Sequence, residues 1–393
     1  MKYYVLGLGL LASQAGATME VTGSAGLEQR YFLQDALYDG QERGQLSMFV
    51  APELYTEFNE GYDSLLFKGY ARIDQRDSER SHVDIRELLW LHVGDDWELR
   101  TGISKVFWGQ TESLHLVDVI NQTDAVEAVD LEDKLGQPMV NLSLIRDWGT
   151  TSFFVLPYFR ERTFAGMDGR LRPALTVDTD NPLYESSDEE KHVDWAVRWQ
   201  HTLGDWDVGL SYFDGTAREP ELVLQDNDGQ PVLRPYYGQM QQTGLDVLAV
   251  MGSWLLKFEG IHRNTRDGDY MAAVGGFEYT QVGVFDSVYD LGFLMEYQYD
   301  ERDELAPVPS QNDLMVGTRI AFNDIDGTTV LIGYVQDLDH SDSYTGFVEA
   351  SSRISDNVKW RLDAWLFSGD TATDPLYGIR RDDFVQLSLE YFF

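Results

Sequence analysis

The stretch VQLSLEYFF, residues 385–393, reads as one β-strand seen from both sides. Val385, Leu387, Leu389, Tyr391 and Phe393 fall on one face, and Gln386, Ser388, Glu390 and Phe392 on the other. Successive strand side chains point to opposite faces, so a period of two with one apolar face marks a strand between two different environments.

The same period recurs upstream. In 358–367, Val358, Trp360, Leu362, Ala364 and Leu366 oppose Lys359, Arg361, Asp363 and Trp365. In 193–202, Val193, Trp195, Val197, Trp199 and His201 oppose Asp194, Ala196, Arg198, Gln200 and Thr202. In 65–76, Phe67, Gly69, Ala71 and Ile73 oppose Lys68, Tyr70, Arg72, Asp74 and Arg76. A soluble sandwich alternates too, so the connections decide. Every second one is tight, as at Asn59 to Tyr62, Gly94 to Asp96, Arg146 to Gly149, Gly204-Asp205, Met251 to Ser253 and Ser355 to Asn357, with Val282 to Val288 and Asn323 to Gly327 a little longer. Between them lie long polar segments at 108–136, 157–191, 215–240, 300–312 and 368–383. Short turns on one rim and long loops on the other describe a transmembrane, antiparallel, up-and-down β-barrel. The segments number about eighteen, with sixteen as the alternative where alternation weakens near Thr150 and Thr328. Closure follows from physics, because hydrocarbon offers no partner to an open sheet edge. A barrel this wide encloses a water-filled lumen unless something plugs it.

The other end of the chain supplies the compartment. Lys2, the apolar run Tyr3 to Ala12 and Ala15-Gly16-Ala17 read as a cleavable leader of residues 1–17, so a single barrel occupies 18–393. No apolar run reaches the roughly eighteen residues that a membrane helix needs. The 393 residues carry a net charge of −37, which excludes nucleic acid as a partner, and have no cysteine for a disulfide or thiolate site. Aromatic residues make up 13%, in keeping with girdles at the two membrane interfaces. The aromatic last residue, Phe393, with Tyr391 two before it, resembles the signal that Gram-negative outer-membrane barrels present to their assembly machinery. That resemblance implies an outer-membrane location, amid lipid and lipopolysaccharide.

Placing alternate residues inside gives a lumen wall of both signs. Arg72, Arg76, Arg86 and Arg100 form a candidate basic row, with Asp74, Asp84 and Glu98 as acidic counterparts. Arg30, Arg198, Lys257, Arg263, Arg319, Arg353, Lys359 and Arg361 also point inward, as do Asp246, Glu259, Glu296, Glu349 and Asp363. The wall is then near balance, and the excess acid sits in loops such as 178–190 and 337–342. Divalent cations at those acidic loops are the one cofactor class the sequence suggests.

The segment 108–136 has a character of its own. Leu114, Val117 and Ile120 recur at one spacing and Glu112, His115 and Asp118 at another, predicting a short amphipathic helix. Its apolar side would lie on the wall, and Glu112, His115 and Asp118 would constrict the lumen, as an early loop does in general porins. The blocks Trp108-Gly109-Gln110-Thr111-Glu112-Ser113 and Asn121-Gln122-Thr123-Asp124 resemble the opening of the long loop in proteobacterial porin-like barrels of uncharacterised function. That resemblance implies a partner, a periplasmic or inner-membrane transporter, for which the barrel serves as exit or docking component.

Catalytic patterns are thin. The seven histidines stand in no HExxH arrangement, and no Gly-x-Ser-x-Gly, P-loop or dinucleotide fingerprint occurs. Two functions follow as expectations, a channel for passive diffusion of small polar solutes and an export or docking barrel. A barrel hydrolase is the weakest third.

Overall fold

A computed structural model of the protein describes residues 19–227, 229–306, 308–369 and 371–393; the expected leader at 1–17 lies outside them. The strands, in chain order, are β1 (Met19–Phe32), β2 (Gly44–Phe58), β3 (Asp63–Asp74), β4 (Val83–Val93), β5 (Trp97–Ser104), β6 (Gln137–Arg146), β7 (Gly149–Leu156), β8 (Leu183–Tyr184), β9 (Asp194–Leu203), β10 (Trp206–Thr216) and β11 (Glu221–Asn227). They continue with β12 (Gln230–Tyr237), β13 (Gln239–Met251), β14 (Trp254–Thr265), β15 (Gly268–Gln281), β16 (Asp290–Asp300), β17 (Asn312–Ala321), β18 (Thr329–Asp337), β19 (Tyr344–Ser355), β20 (Val358–Ser368) and β21 (Phe384–Phe392).

All but β8, β11 and β12 join one 18-stranded antiparallel sheet, which closes where β21 pairs with β1. The seam runs from Phe32↔Phe384 to Ser24↔Phe392, and Gly23 and Phe393 extend it by exchanging two backbone hydrogen bonds of 3.1 and 3.0 Å. No strand edge is left to the lipid, which is the condition hydrocarbon imposes. The weakly alternating stretches after Thr150 and Thr328 are true strands, β7 and β18.

The period-two faces divide as the sequence predicts. On β9, Asp194, Ala196 and Arg198 are buried while Trp195 faces out; on β21, Gln386 is buried while Leu387, Leu389 and Tyr391 face out. One rim carries the tight turns, helped by Gly204 and Gly252, whose φ of 66° and 62° suit a residue without Cβ. The other rim carries nine loops, L1 (33–43), L2 (75–82), L3 (105–136), L4 (157–193), L5 (217–238), L6 (266–267), L7 (301–311), L8 (338–343) and L9 (369–383). L6 departs from the expected long connection, for β14 and β15 turn through Arg266 and Asp267 alone. L5 is itself a hairpin of β11 and β12, joined in parallel by β8 of L4.

The largest apolar cluster lies inside the barrel. Trp108, Val117, Val119 and Ile120 of L3 pack on Met139, Phe154, Leu156, Ala196, Phe213, Met240, Ile261 and Ala272, an arc of wall from β6 to β15. Each such side chain contributes about 1.5–3 kcal/mol when fully buried, so L3 is held in the lumen by its own apolar residues.

Candidate functional site

L3 crosses the barrel and is tied to both sides. On the far wall, Glu259 of β14 is fully buried and accepts from the amides of Gln110 (2.7 Å), Thr111 (3.1 Å) and Val117 (3.2 Å) and from Thr111 Oγ1 (2.8 Å). Glu296 of β16 accepts from the amides of Glu112 (2.8 Å) and Ser113 (2.9 Å) and from Ser113 Oγ (2.6 Å). Lys257 and Arg319 pair with the Glu112 carboxylate at 3.3 and 2.8 Å. On the near wall, Arg72 of β3 holds Glu127 at 2.7 Å and Arg86 of β4 holds Asp124 at 2.6 Å. Arg80 of L2, almost wholly buried, donates to the Val126 carbonyl (2.8 Å) and pairs with Glu28 (2.5 Å) and Asp74 (2.9 Å). β3 and β4 lie about half a circumference from β16 and β17, so these anchors stretch L3 over the lumen.

The expected helix over 112–120 is absent, and the segment runs as irregular turns. The reason is the fate of its amides. In a helix over 112–120 the Val117 N–H would bond the carbonyl four residues back, but here it goes to Glu259, and Glu259 and Glu296 also hold the amides of Gln110, Glu112 and Ser113 at positions set by the wall. Asp118 does not face the lumen either; its Oδ1 accepts from the amides of Trp108 (2.6 Å) and Gly109 (3.1 Å) and closes the loop on itself. His115 lies between Glu132 (3.5 Å) and Glu259 (3.8 Å). Burial opposes its charge, but these two carboxylates outweigh it and raise its pKa to about 10.

The basic row is also redistributed. Arg72 and Arg86 are buried in the L3 anchor, where Arg72 pairs with Glu28 and Glu127 and Arg86 with Asp84 and Asp124. Arg76 stands past the end of β3, exposed in L2, with its Nε on the Gly44 carbonyl. Arg100 pairs with Glu98 at 3.2 Å, and its side chain is 45% exposed near the turn rim. The four arginines therefore do not make one ladder, because β3 ends at Asp74 and loop carboxylates claim two of them.

The open space lies along the opposite arc. A space of about 480 Å³ runs between residues 127–133 of L3 and a wall from β17 through β21 to β3. Its lining includes Asp130, Glu132, Asp133, Glu349, Asp363 and Glu390 on the acidic side, and Arg30, Arg319, Lys359 and Arg361 on the basic side. Glu349 and Asp363 are direct cross-strand partners. Asp130 touches the water of this path but is walled in by protein elsewhere. That enclosure, with the carboxylates of Glu132, Asp133 and Asp363, pushes its pKa up to about 6. A second space of about 570 Å³ lies at the turn rim, lined by Arg353 and by Lys359, which also lines the first.

The loop-rim end of the path is covered. L4 meets L1 through Gln41 and Gly169 (2.5 Å) and through Arg172 over the Tyr38 ring (4.2 Å). It meets L2 where Asp77 accepts from the Gly166 amide (3.0 Å), and L9 through Arg170–Asp382 (2.6 Å) and Leu171 N to Asp382 (2.9 Å). Near these contacts Phe32, Phe367, Leu376 and Phe384 pack as an apolar cluster with Val129, Leu171 and Ile379. Sequence periodicity places Glu259, Glu296, Glu349 and Asp363 on the lumen face but holds no sign of which meet L3. Arg80 and Arg170, being in loops, carry no periodic signal at all.

No model of a known protein family matches the chain. No curated protein sequence matches it either. Among solved structures, a BenF-like porin from Pseudomonas fluorescens Pf-5 superposes with a TM-score of 0.56 at 9% identity, covering 96% of this chain and 98% of that one. OmpT, an outer-membrane protein of Vibrio cholerae, gives 0.48 at 10% identity, covering 96% and 99%. A Rhodopseudomonas blastica porin variant gives 0.45 at 11%, covering 96% and 100%. At such identity the BenF-like porin speaks to architecture alone, and the chain has the closed transmembrane barrel fold of outer-membrane porins.

Proposed function

We propose that the protein is an outer-membrane channel through which small polar solutes diffuse passively, with L3 as its constriction. The observation that carries this reading is the anchoring of L3 to opposite walls, beside an eccentric space lined by charges of both signs. Carboxylates on L3 facing Lys359 and Arg361 set up a transverse field, which orders water and favours polar over apolar solutes. The L4 contacts over the mouth then act as a lid. Purified protein in a planar bilayer tests the reading. Discrete unitary currents, whose cation preference falls in Asp130→Asn/Glu132→Gln, are the expected result, and no unitary current under any voltage or salt overturns it.

A second reading, a docking barrel for an envelope export system, is favoured by the turn rim. Phe285 and Ile325, 97% and 99% exposed, sit at the tips of neighbouring turns with Val282 and Val288 beside them. Apolar tips on the periplasmic rim suit a protein partner better than water. Crosslinking from a photoreactive residue at 285 in intact cells tests it, and an absence of any protein adduct sinks it.

A further inference from the structure

We propose that His82, Asp124 and Glu127 form a binding site for one divalent transition-metal ion of the zinc class, which clips L2 to L3 beside the channel. His82 is the last residue of L2, and Asp124 and Glu127 lie in one turn of L3, where the Glu127 amide donates to the Asp124 carbonyl (3.2 Å). His82 Nε2 stands 3.4 Å from Asp124 Oδ2 and 3.4 Å from Glu127 Oε1, and the three atoms lie within 4.8 Å of one another.

These separations fit a metal better than a proton. An N–H···O bond spans about 2.7–3.2 Å, and the buried Nε2 makes no hydrogen bond to either oxygen. Ligand atoms about 2.0–2.1 Å from a tetrahedral ion stand about 3.3–3.4 Å apart, which matches both histidine distances. The histidine is also presented as a ligand. Its Nδ1 lies 3.1 Å from the Arg80 carbonyl, a contact that places the proton on Nδ1 and turns the Nε2 lone pair toward the carboxylates.

The carboxylates are held from behind. Asp124 accepts from Arg86 at Oδ2 (2.6 Å) and from Thr163 at Oδ1 (2.7 Å); Glu127 accepts from Arg72 at both oxygens (3.1 and 2.7 Å) and from Tyr70 at Oε2 (2.7 Å). Those guanidiniums do not leave the region positive. Arg30, Arg72, Arg80, Arg86 and Arg160 are matched by Glu28, Asp74, Asp84, Asp124 and Glu127, and Asp77, Asp130 and Asp133 add further carboxylates nearby. One imidazole and two carboxylates suit zinc or manganese, whereas calcium takes six to eight oxygens.

The test is metal binding to the purified, EDTA-stripped barrel in detergent. Zn²⁺ is titrated by calorimetry, and Co²⁺ is followed by the visible absorption of tetrahedral coordination. The wild type is expected to take one ion per chain with a tetrahedral Co²⁺ spectrum, and His82→Gln to lose that spectrum and at least tenfold in Zn²⁺ affinity. His82→Gln leaves every guanidinium–carboxylate pair in place, and retained heat-modifiable migration on a gel shows that the variant barrel is folded. Zn²⁺ should also slow tryptic cleavage in L2 in the wild type and not in the variant. Equal binding by both proteins, which would place the ion on exposed acidic loops, overturns the proposal, as does no binding by the wild type.

Discussion

Glu259→Ala removes the acceptor for three L3 amides and one hydroxyl, four bonds between 2.7 and 3.2 Å to a single buried carboxylate. Hydrogen bonds to a charged group contribute about 1.5–3 kcal/mol each, a nominal sum of about 6–12 kcal/mol. The freed amides regain water once the loop lifts, so the net loss falls to about 3–6 kcal/mol. At 1.4 kcal/mol per factor of ten, that moves the anchored-to-released ratio of this end of L3 by about 10² to 10⁴. The barrel wall is untouched, because its strands are held by the backbone ladder rather than by L3. The expected outcome in a planar bilayer is therefore larger unitary conductance with added open-channel noise, and unchanged heat-modifiability. Glu296 still grips the amides of Glu112 and Ser113, so Glu259→Ala/Glu296→Ala should show the larger effect. A double variant that folds, inserts and conducts with wild-type amplitude and noise refutes the idea that these carboxylates hold a constriction.

Other predictions follow from the same geometry. Because the pKa of Asp130 is about 6, lowering the pH from 7.5 to 5 protonates it and removes negative charge from the path; the cation-to-anion permeability ratio should fall over that window, and less so in Asp130→Asn. Arg170→Ala weakens the L4–L9 contact at Asp382, leaving the Leu171 amide as its donor and the buried carboxylate without its cation, so uptake of small sugars into liposomes should quicken several-fold. Arg198→Ala breaks a buried bidentate pair with Asp246 (2.6 and 2.9 Å), whose loss costs about 3–5 kcal/mol and should lower the temperature at which the barrel unfolds on a gel.

Much of the barrel was legible one strand at a time. Trp195 and Arg198 sit on opposite faces because the strand repeats every two residues, and no tertiary information is needed to separate them. Tight turns at Gly204 and Gly252 announce themselves in the same local way. The distinct character of L3 was legible, but its form was not. Apolar spacing at Val117 and Ile120 identified the side of L3 that packs on the wall, yet the period of three suggested a helix where none exists. Local propensity lost to side chains from β14 and β16, more than 140 residues away, which pin the amides of Gln110, Glu112, Ser113 and Val117 to the wall.

The sequence by itself determined the class of fold, the lumen and lipid faces of its clearly alternating strands and the presence of an unusual early loop, since these depend on short-range periodicity. Only the tertiary structure decided which lumen charges meet water. Arg72 and Arg86 are spent on Glu28, Asp124 and Glu127, while Glu349, Asp363 and Arg361 remain along the path. Alternation sends a charge inward, but its partner is set by barrel closure and by where L3 lands, and both are contacts between residues far apart in the chain.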